Sequence, residues 1–388
     1  MLEITGKDRC CGCHACYNAC PKQCISMVSD SEGFVYPNID RSKCIDCGLC
    51  EKVCPVIAPP GADDRESVAF AAVNKDENTR LQSSSGGIFS VLAEQILKEN
   101  GVIFGAALSE DCRQVNHIVV ESPADIPLLQ GSKYVQSNIG DTYQNAENAL
   151  KAGRTVLFSG TPCQIAGLYK YLNKPYEKLY TCDIICHGVP SPLVWQNYVK
   201  YREEQAASKV RRASFRHKKY GWKRFSLQLV FMNSAEYTQI LGKDLFLHGF
   251  LSNIYLRPSC YNCKFKGLKR PADITLADFW GIENVAPHMY DNKGTSLVIV
   301  HSEKGSRLLG QLGSSISAEP VDIDKAIKYN SAAVKSVAIP KARVPFFKDF
   351  GTVPFAKLFK KYCSIGPKEK IRKCIGAILR KIKTFRRG

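Results

Sequence analysis

Two short cysteine runs near the N-terminus carry the clearest chemistry in this sequence. Each run holds four cysteines separated by two, two and three residues, and a proline follows the fourth. The first run, which ends at Pro21, consists of Cys10, Cys13, Cys16 and Cys20. The second run, which ends at Pro55, consists of Cys44, Cys47, Cys50 and Cys54. Three thiolates at two-residue intervals can wrap a loop around three corners of a cubane, so this spacing predicts two [4Fe–4S] clusters.

The fourth cysteine of each run is predicted to ligate the cluster of the other run, because it follows on a short helix and points away. The expected ligands of the first cluster are therefore Cys10, Cys13, Cys16 and Cys54. Those of the second cluster are Cys44, Cys47, Cys50 and Cys20. A pair of zinc sites is the alternative, but zinc requires neither this spacing nor the two prolines. Cys11 and Cys24 fall outside the pattern and are interpreted as packing residues.

Composition and charge indicate the cellular compartment and the kind of partner to expect for these clusters. The N-terminus lacks the apolar core of a secretory signal, and no run of about 18 apolar residues could span a bilayer. We therefore expect a cytoplasmic protein whose 18 cysteines serve metal or redox chemistry rather than disulfides. The net charge of +18 favours an acidic partner, such as an acidic ferredoxin. The sequence contains no recognised nucleic-acid motif, so nucleic-acid binding is not expected.

The elements that must position these residues divide the chain into three expected domains. Residues 1–60 are predicted to form an α+β ferredoxin-like N-terminal domain with a hairpin of two short strands between the cysteine runs. Residues 61–335 alternate strand and helix patterns, which predicts an α/β core with a parallel or mixed sheet. Apolar strands are expected at 67–74, 102–108, 155–160 and 179–186, and a helix at 86–101. Residues 336–388 are a basic C-terminal extension.

Two loops of the core stand where strands end and helices begin, which is where sites collect in such sheets. The stretch "SSSGG" at 83–87 precedes a helix and could receive a phosphate on its backbone N–H groups, or could be a plain N-cap. The stretch "FSGTPCQ" at 158–164 places Cys163 at a helix start. No G-x-G-x-x-G sequence follows a strand, so a Rossmann-type nucleotide site is not supported.

A third four-cysteine site is a further interpretation. Cys163 and Cys186 both lie at strand ends, and Cys260 and Cys263 form a C-x2-C pair that needs two more ligands. Cys182 competes with Cys186, because the two are close together along one strand. Zinc and buried structural thiols remain open as alternatives to an iron–sulfur cluster.

At this point the motifs resemble those of the coenzyme F420 hydrogenase/dehydrogenase beta-subunit family, over roughly residues 5–300. The motifs that carry the resemblance are "SSSGGIFSVLAEQIL", "GSKYVQS", "LFSGTPCQIAGL", "DIICHGVPSP", "FLSNIYLRPSCYNCKFKG", "ADITLADFWGI" and "GTSLV". The family also includes 7-hydroxymethyl chlorophyll a reductase. The resemblance implies that the α/β core is flavin-binding, with FAD beside a third [4Fe–4S] cluster. It assigns that cluster to Cys163, Cys186, Cys260 and Cys263, and leaves Cys182 structural.

The resemblance also implies the residues around the flavin. The expected FAD-binding residues are Ser85, Gly86, Gly87, Lys133, Tyr134, Gln136, Ser137, Thr161, Pro162 and Gln164. His187 and Asp278 are candidate catalytic residues, as proton donors or orienting groups. His187 could instead be a turn histidine bonded to the backbone, and Asp278 could cap the following turn.

The function implied is an iron–sulfur flavoprotein oxidoreductase. Electrons would pass from the ferredoxin-type clusters through the core cluster to FAD and on to an unidentified small-molecule acceptor, with surface polysaccharide metabolism as the implied setting. The alternatives are a non-catalytic electron-transfer subunit of a larger redox complex, and a beta subunit that reduces or oxidises F420. A ferredoxin domain attached to a binding module without flavin is a third possibility.

Two basic segments complete the sequence-based predictions. Residues 208–224 are interpreted as a solvated strand pair or as a rim that recognises a phosphorylated substrate or an acidic partner. Residues 367–388 predict an amphipathic helix whose apolar face holds Ile371, Ile375, Ile378, Leu379, Ile382 and Phe385. Such a helix either lies on the anionic inner face of the membrane, which would favour a lipid-linked substrate, or docks on the protein.

Overall fold

The computed structural model describes residues 6–61 and 65–363. The hairpin expected between the cysteine runs is present, because β1 (Ile25–Ser29) pairs antiparallel with β2 (Val35–Ile39). Two short helices, α1 (Ala15–Ala19) and α2 (Leu49–Lys52), carry the third cysteine of each run. Each helix begins after a residue in the left-handed region, so the chain turns sharply between the second and third cysteines.

The core is a mixed sheet of eight strands. In chain order its strands are β3 (Val68–Asn74), β4 (Val102–Leu108), β5 (Val115–Val120), β6 (Val156–Ser159), β7 (Leu179–Ile184), β11 (Ile274–Asp278), β12 (Ser296–Val300) and β13 (Ile316–Val321). Their spatial order is β13-β3-β12-β11-β7-β6-β4-β5. The four central strands β11, β7, β6 and β4 are parallel, whereas the outer pairings are antiparallel. The carboxyl ends of the parallel strands therefore open at one edge, where a site is expected.

A second, three-stranded antiparallel sheet holds part of the basic segment. Its strands are β8 (Val210–His217), β9 (Ser226–Phe231) and β10 (Glu236–Ile240). The interpretation of 208–224 as a solvated strand pair is wrong, because this segment supplies one strand whose partner β9 lies beyond it. Arg216 is buried, and the Lys218 ammonium is bonded to three carbonyl oxygens.

Helices cover both faces of the large sheet and support the small one. They are α3 (Glu77–Gln82), α4 (Ile88–Lys98), α5 (Ile126–Leu129), α6 (Thr142–Lys151), α7 (Pro162–Leu172), α8 (Pro192–Ala206), α9 (Leu245–Leu251), α10 (Ile282–Val285), α11 (Glu303–Gln311), α12 (Ile323–Ile327), α13 (Arg343–Asp349) and α14 (Phe355–Cys363). Short 3-10 helices span Pro123–Asp125, Pro258–Asn262, Pro287–Met289, Gly313–Ser315 and Ser331–Ala333. Helix α4 buries Val91, Leu92 and Ile96 against one face of the large sheet, as its apolar spacing predicts.

The boundary expected at residue 336 does not coincide with a break in packing. Helices α13 and α14 bury Phe346, Leu358 and Phe359 in the same core cluster as Trp195 of α8. Of the basic extension, residues 336–363 thus pack with the core, and the amphipathic helix predicted at 367–388 lies outside the described residues. Across residues 6–61 and 65–363, no helix combines the length and apolar character needed to cross a bilayer.

Candidate redox sites and the adjoining cavity

The two predicted N-terminal ligand sets each surround a small cavity. The cluster I site, which we define by its four cysteines, comprises Cys10, Cys13, Cys16 and Cys54. The cluster II site comprises Cys20, Cys44, Cys47 and Cys50. The structure thus brings the fourth cysteine of each run beside the first three of the other, because Cys20 and Cys54 follow the ends of α1 and α2. Thiol donors in this arrangement fit [4Fe–4S] clusters.

Burial changes the chemistry of these thiols. It is the main cause that raises the pKa of Cys16, Cys50 and Cys54, so the free side chains are neutral thiols. Iron binding releases those protons, because the ligands are thiolates. Among residues 6–61 and 65–363, no three His, Cys, Asp or Glu side chains close on a point where a single metal ion could sit.

The two surplus cysteines of the N-terminal runs differ in their surroundings. The Cys24 sulfur lies 3.3 Å from that of Cys20, on the wall of the cluster II cavity. Cys11 lines a different cavity, where its hydrogen bond with Cys13 raises its pKa well above the usual value. The interpretation of Cys11 as a packing residue is therefore incomplete, because its thiol faces the core site described next.

A third cavity brings together the four cysteines of the core. This core thiol site comprises Cys163, Cys186, Cys260 and Cys263. Cys163 lies in the first turn of α7, Cys186 lies two residues beyond β7, and Cys260 belongs to the 3-10 helix Pro258–Asn262. Cys182, by contrast, lies within β7 and is not part of this cavity.

Polar contacts around the core thiol site favour sulfur with negative charge. The Val189 N–H donates to the Cys260 sulfur over 3.4 Å, and the Thr161 hydroxyl lies 3.1 Å from the Cys163 sulfur. The Lys266 ammonium bonds the Cys186 carbonyl. Burial raises the pKa of Cys186 to about 12, so the site stabilises thiolates only when a cation binds there. Four thiols around one cavity fit a [4Fe–4S] cluster. Zinc uses the same donor set, but no three of the described side chains close on a point where a single ion could sit.

A large cavity of about 610 Å³ opens at the carboxyl ends of β6, β7 and β11. Its volume lies within the range of cofactor sites. Seven of the expected FAD-binding residues line it: Ser85, Gly87, Lys133, Tyr134, Ser137, Thr161 and Gln164. Gly87 precedes α4 with a φ of 82°, a backbone conformation that favours glycine.

Three of the expected FAD-binding residues do not line this cavity. Gly86 packs against the sheet, where a Cβ atom would lie 2.7 Å from the Ser296 nitrogen. Gln136 and Pro162 line the core thiol cavity instead. The Gln136 amide bridges two groups there, donating to the Cys11 carbonyl over 3.1 Å and accepting from Arg257 over 2.9 Å.

Three basic side chains line the large cavity, those of Lys133, Arg216 and Lys223. Burial lowers the pKa of Lys133 to about 7, so its ammonium loses much of its preference for the charged form. An anion bound nearby would restore that preference. Two buried nitrogens of the lining, Nδ1 of His117 and Nε of Arg216, have no hydrogen-bond partner among the described residues. This wall therefore fits a cofactor that carries phosphates and hydrogen-bonding ring atoms.

His187 and Asp278 both line the large cavity, but their partners differ from those expected. His187 Nε2 lies 2.6 Å from the side-chain oxygen of Asn253, not a backbone group, and burial lowers the pKa of the imidazole. His187 also lines the core thiol cavity. The Asp278 carboxylate accepts hydrogen bonds of 2.7 Å each from Arg216 and from the Trp222 indole, so it does not cap the following turn.

The sites adjoin one another. The cluster II and cluster I sites meet at α1, which contains Cys16 and is followed directly by Cys20. Cys11 and Val56 line both the cluster I cavity and the core thiol cavity. Thr161, Gln164 and residues 186–189 line both the core thiol cavity and the large cavity. The chain therefore contains an uninterrupted series of sites from the N-terminal cysteines to the large cavity.

Three residues in or beside these sites were not predicted as site residues from the sequence: Cys11, Arg216 and Arg257. Arg257 is fully buried, and its guanidinium contacts the cluster I site. The only signal was position, since Arg257 lies three residues before Cys260 in a motif that carries the family resemblance. Arg216 gave no individual signal, because the sequence marked only the whole basic segment 208–224, as a solvated strand pair or a rim for a phosphorylated substrate or an acidic partner.

Comparison with known proteins agrees with the sequence motifs. Residues 153–325 match the family described as the C terminus of the coenzyme F420 hydrogenase/dehydrogenase beta subunit, and residues 9–58 match the 4Fe-4S dicluster domain. The coenzyme F420-dependent sulfite reductase of Methanocaldococcus jannaschii is 26% identical over 200 residues, which are 50% of this chain and 30% of that protein.

Two ferredoxins and one solved structure are also similar. The ferredoxins of Saccharopolyspora erythraea and Mycolicibacterium smegmatis are 39% and 38% identical over 74 residues, which are 19% of this chain and 65% of each ferredoxin. The chain thus spans less than two thirds of these curated relatives. The F420-reducing [NiFe] hydrogenase complex from Methanosarcina barkeri matches at a TM-score of 0.47 and 18% identity, over 67% of this chain and 83% of that one. Residues 153–325 thus form a domain of the family described as the C terminus of the coenzyme F420 hydrogenase/dehydrogenase beta subunit, and residues 9–58 form a 4Fe–4S dicluster domain.

Proposed function

We propose that this chain is an iron–sulfur flavoprotein oxidoreductase that passes electrons from its two N-terminal clusters, through a cluster at the core thiol site, to FAD in the large cavity and on to an organic acceptor. The observation that carries the proposal is the uninterrupted series of thiol-lined cavities that ends at the large cavity. A bound flavin supplies the conversion of single electrons into a two-electron reduction.

The residues of the chain have separate tasks in this proposal. The three cysteine sets hold the clusters and bury them from water. The N–H groups at the start of α4 and the ammonium of Lys133 bind the phosphates of FAD, since a helix N-terminus and a nearby cation both favour anions. His187, positioned by Asn253 at the border of two cavities, holds a proton for the acceptor. Asp278 orients the Arg216 guanidinium on the cavity wall.

Metal and flavin analysis of the anaerobically purified chain tests the proposal. Each cubane carries four irons, so we expect about twelve irons and one FAD per chain. A chain with about eight irons and no flavin would contradict the proposed core. Cys186→Ser should lose about four irons and keep the N-terminal clusters. Cys182→Ser is the matched control, because Cys182 is buried on the same strand region but does not line the core thiol site.

Turnover assays separate the enzyme from the two alternative functions. An isolated chain that reduces an acceptor with dithionite or reduced ferredoxin is an enzyme, whereas a non-catalytic electron-transfer subunit shows cluster and flavin reduction without product. The similarity to a protein named coenzyme F420-dependent sulfite reductase favours F420 as a second candidate acceptor. Loss of F420 absorbance on incubation with the reduced chain tests it directly. Acceptors from surface polysaccharide metabolism, including lipid-linked ones, form the next screen.

A further inference from the structure

Arg257 places a buried positive charge against the cluster I site. Its side chain is fully buried, and Nε donates to the Cys10 carbonyl over 2.8 Å. Nη2 donates to the Val35 carbonyl over 3.0 Å and lies 3.7 Å from the Cys10 sulfur. Nη1 donates to the Gln136 side-chain oxygen over 2.9 Å. One guanidinium therefore contacts Gln136 of the α/β core, Val35 of the β1–β2 hairpin and the predicted iron ligand Cys10.

The surroundings of Arg257 lack a compensating carboxylate. Other buried arginines have one: Arg216 pairs with Asp278, Arg270 with Asp183, and Arg343 with Glu32. Arg257 forms no ion pair with any carboxylate in residues 6–61 and 65–363, and its hydrogen-bond acceptors are carbonyls, an amide oxygen and a thiol. A buried charge without a partner is unfavourable. Since no described carboxylate is paired with Arg257, an anionic group bound in the adjoining cavity would supply the missing negative charge.

The loop between the first two ligands is built around this side chain. Gly12 has a φ of 66°, and a Cβ atom there would lie 2.7 Å from Arg257 Nη1 and 2.8 Å from Gln136 Nε2. The Tyr36 ring lies 4.3 Å below the guanidinium. Glycine is thus required for the approach, and the protein contacts of the guanidinium hold it beside Cys10.

We propose that the [4Fe–4S] cluster of the cluster I site is the counter-charge of Arg257, and that Arg257 raises the reduction potential of this cluster. The inference rests on the ligand role of Cys10 in the proposed function. One electron from an external donor reduces the cluster, adding one unit of negative charge while no bond forms or breaks. A nearby guanidinium and an N–H···S contact both stabilise the more negative state, and hydrogen bonds to sulfur and local charge set cluster potentials.

The cluster II site has the opposite surroundings. Cys47 is exposed, and the Cys44 sulfur lies 3.7 Å from the Asp46 carboxylate. The one basic residue among those lining its cavity, Lys22, is exposed to solvent and therefore screened. The cluster I site is thus more positive than the cluster II site. Arg257 therefore favours electron transfer from a cluster at the cluster II site to one at the cluster I site.

A redox titration of the reconstituted full chain, monitored by electron paramagnetic resonance, tests the role of Arg257. Arg257→Gln removes the charge, and we expect the reduction potential of one cluster to fall. At a fixed potential, the ratio of reduced to oxidised cluster should decrease about tenfold, which corresponds to a shift of about 59 mV for one electron. Arg257→Lys keeps the charge without the fork of donors and should give a smaller shift. Arg202→Gln is the control, since Arg202 is a largely buried arginine paired with Asp244 away from the cysteines.

A second measurement uses the wild-type chain, so it tests the inference even if the Arg257 variants fail to fold or to bind their clusters. With ¹⁵N-arginine incorporated, the reduced cluster should show a pulsed electron–nuclear coupling to nitrogen that is absent from Arg257→Lys labelled in the same way. Unchanged potentials in fully loaded Arg257→Gln, or no arginine coupling in the wild type, would overturn the inference. Loss of FAD or of the core cluster would count against the proposed function alone, because the shifted titration step and the arginine coupling are expected for the cluster I site.

Discussion

At the scale of single residues, Asp278 and Arg216 form an ion pair that fixes one wall of the large cavity. The two side chains are 17% and 3% exposed, and the Arg216 guanidinium also stacks 3.8 Å from the centre of the Phe225 ring. Asp278 ends β11, so the strand delivers its carboxylate to the cavity edge. This contact makes Asp278 a positioning residue in the proposed function.

The main effect expected of Asp278→Asn is therefore a lower free energy of unfolding, not the direct loss of a reacting group. The substitution leaves a buried guanidinium without its carboxylate, which costs about 3 kcal/mol in the free energy of unfolding. Urea unfolding at pH 7 measures this loss. The double variant Asp278→Asn with Arg216→Met removes the unpaired charge and should recover part of the loss. Equal stability of wild type and Asp278→Asn would show that the pair contributes nothing.

The buried imidazole of His301 predicts how stability depends on pH. His301 bridges Ser67 and Thr275 with two contacts of 2.8 Å, and burial lowers its pKa to about 4. Below about pH 6.5, which is the ordinary pKa of histidine, the imidazole binds a proton in the unfolded chain but stays neutral in the folded chain. The free energy of unfolding thus falls as pH decreases from 6.5 toward 4, by about 2 kcal/mol at pH 5 from this group.

The measurement compares wild type with His301→Asn. Unfolding free energies at pH 7 and pH 5 are determined for both chains, and the difference between the two pH effects isolates His301. We expect a smaller acid destabilisation in the variant. An identical pH effect in both chains would mean that His301 titrates normally in the fold.

At the scale of elements, the loop at 83–87 joins α3 to the start of α4 and contacts both β3 and β12. The Gly86 N–H donates to the Ser296 hydroxyl over 3.0 Å, and the Ser85 hydroxyl donates to the Thr295 carbonyl over 2.7 Å. The loop is therefore anchored on the sheet at one end, while Gly87 presents the N-terminus of α4 to the large cavity.

Gly86→Ala should break this anchor. The added Cβ atom would collide with backbone atoms of β3 and β12, which cannot move as a side chain can. We expect a loss of about 2 kcal/mol in unfolding free energy and a lower FAD content. Gly242→Ala is the matched control, because no atom lies within 4 Å of its added Cβ. Full stability of Gly86→Ala would mean that the loop shifts freely.

At the scale of the whole molecule, the net charge of +18 predicts how electrons arrive. An acidic ferredoxin should reduce the chain quickly at low salt, and the second-order rate constant should fall about tenfold as ionic strength rises from about 0.05 to about 0.5 M. Stopped-flow spectroscopy of cluster reduction measures it. A cationic viologen radical is the control and should react faster as salt increases. Salt-independent reduction by ferredoxin would exclude electrostatic steering.

Much of the fold and of the candidate sites followed from short-range patterns. The β1–β2 hairpin, the strands near 67–74 and 102–108 and helix α4 agree with the expected positions, because side-chain alternation and apolar spacing are local properties. The grouping of the eight cysteines of the two runs around two cavities also agrees with the spacing of the runs, and their role as cluster ligands stays a prediction. The similarity of the motifs then indicated the core cysteines.

The sequence by itself thus determined the candidate ligand types, the local elements and the match to two family domains. Only the tertiary structure decided that β8 pairs with a strand outside the basic segment, that α13 and α14 belong to the core, and that Gln136 faces the thiols rather than the large cavity. It also decided that Arg257 reaches Cys10 across 247 positions of the chain. The physical reason is that charge, burial and contact between distant residues arise only when the packed elements exclude water between them.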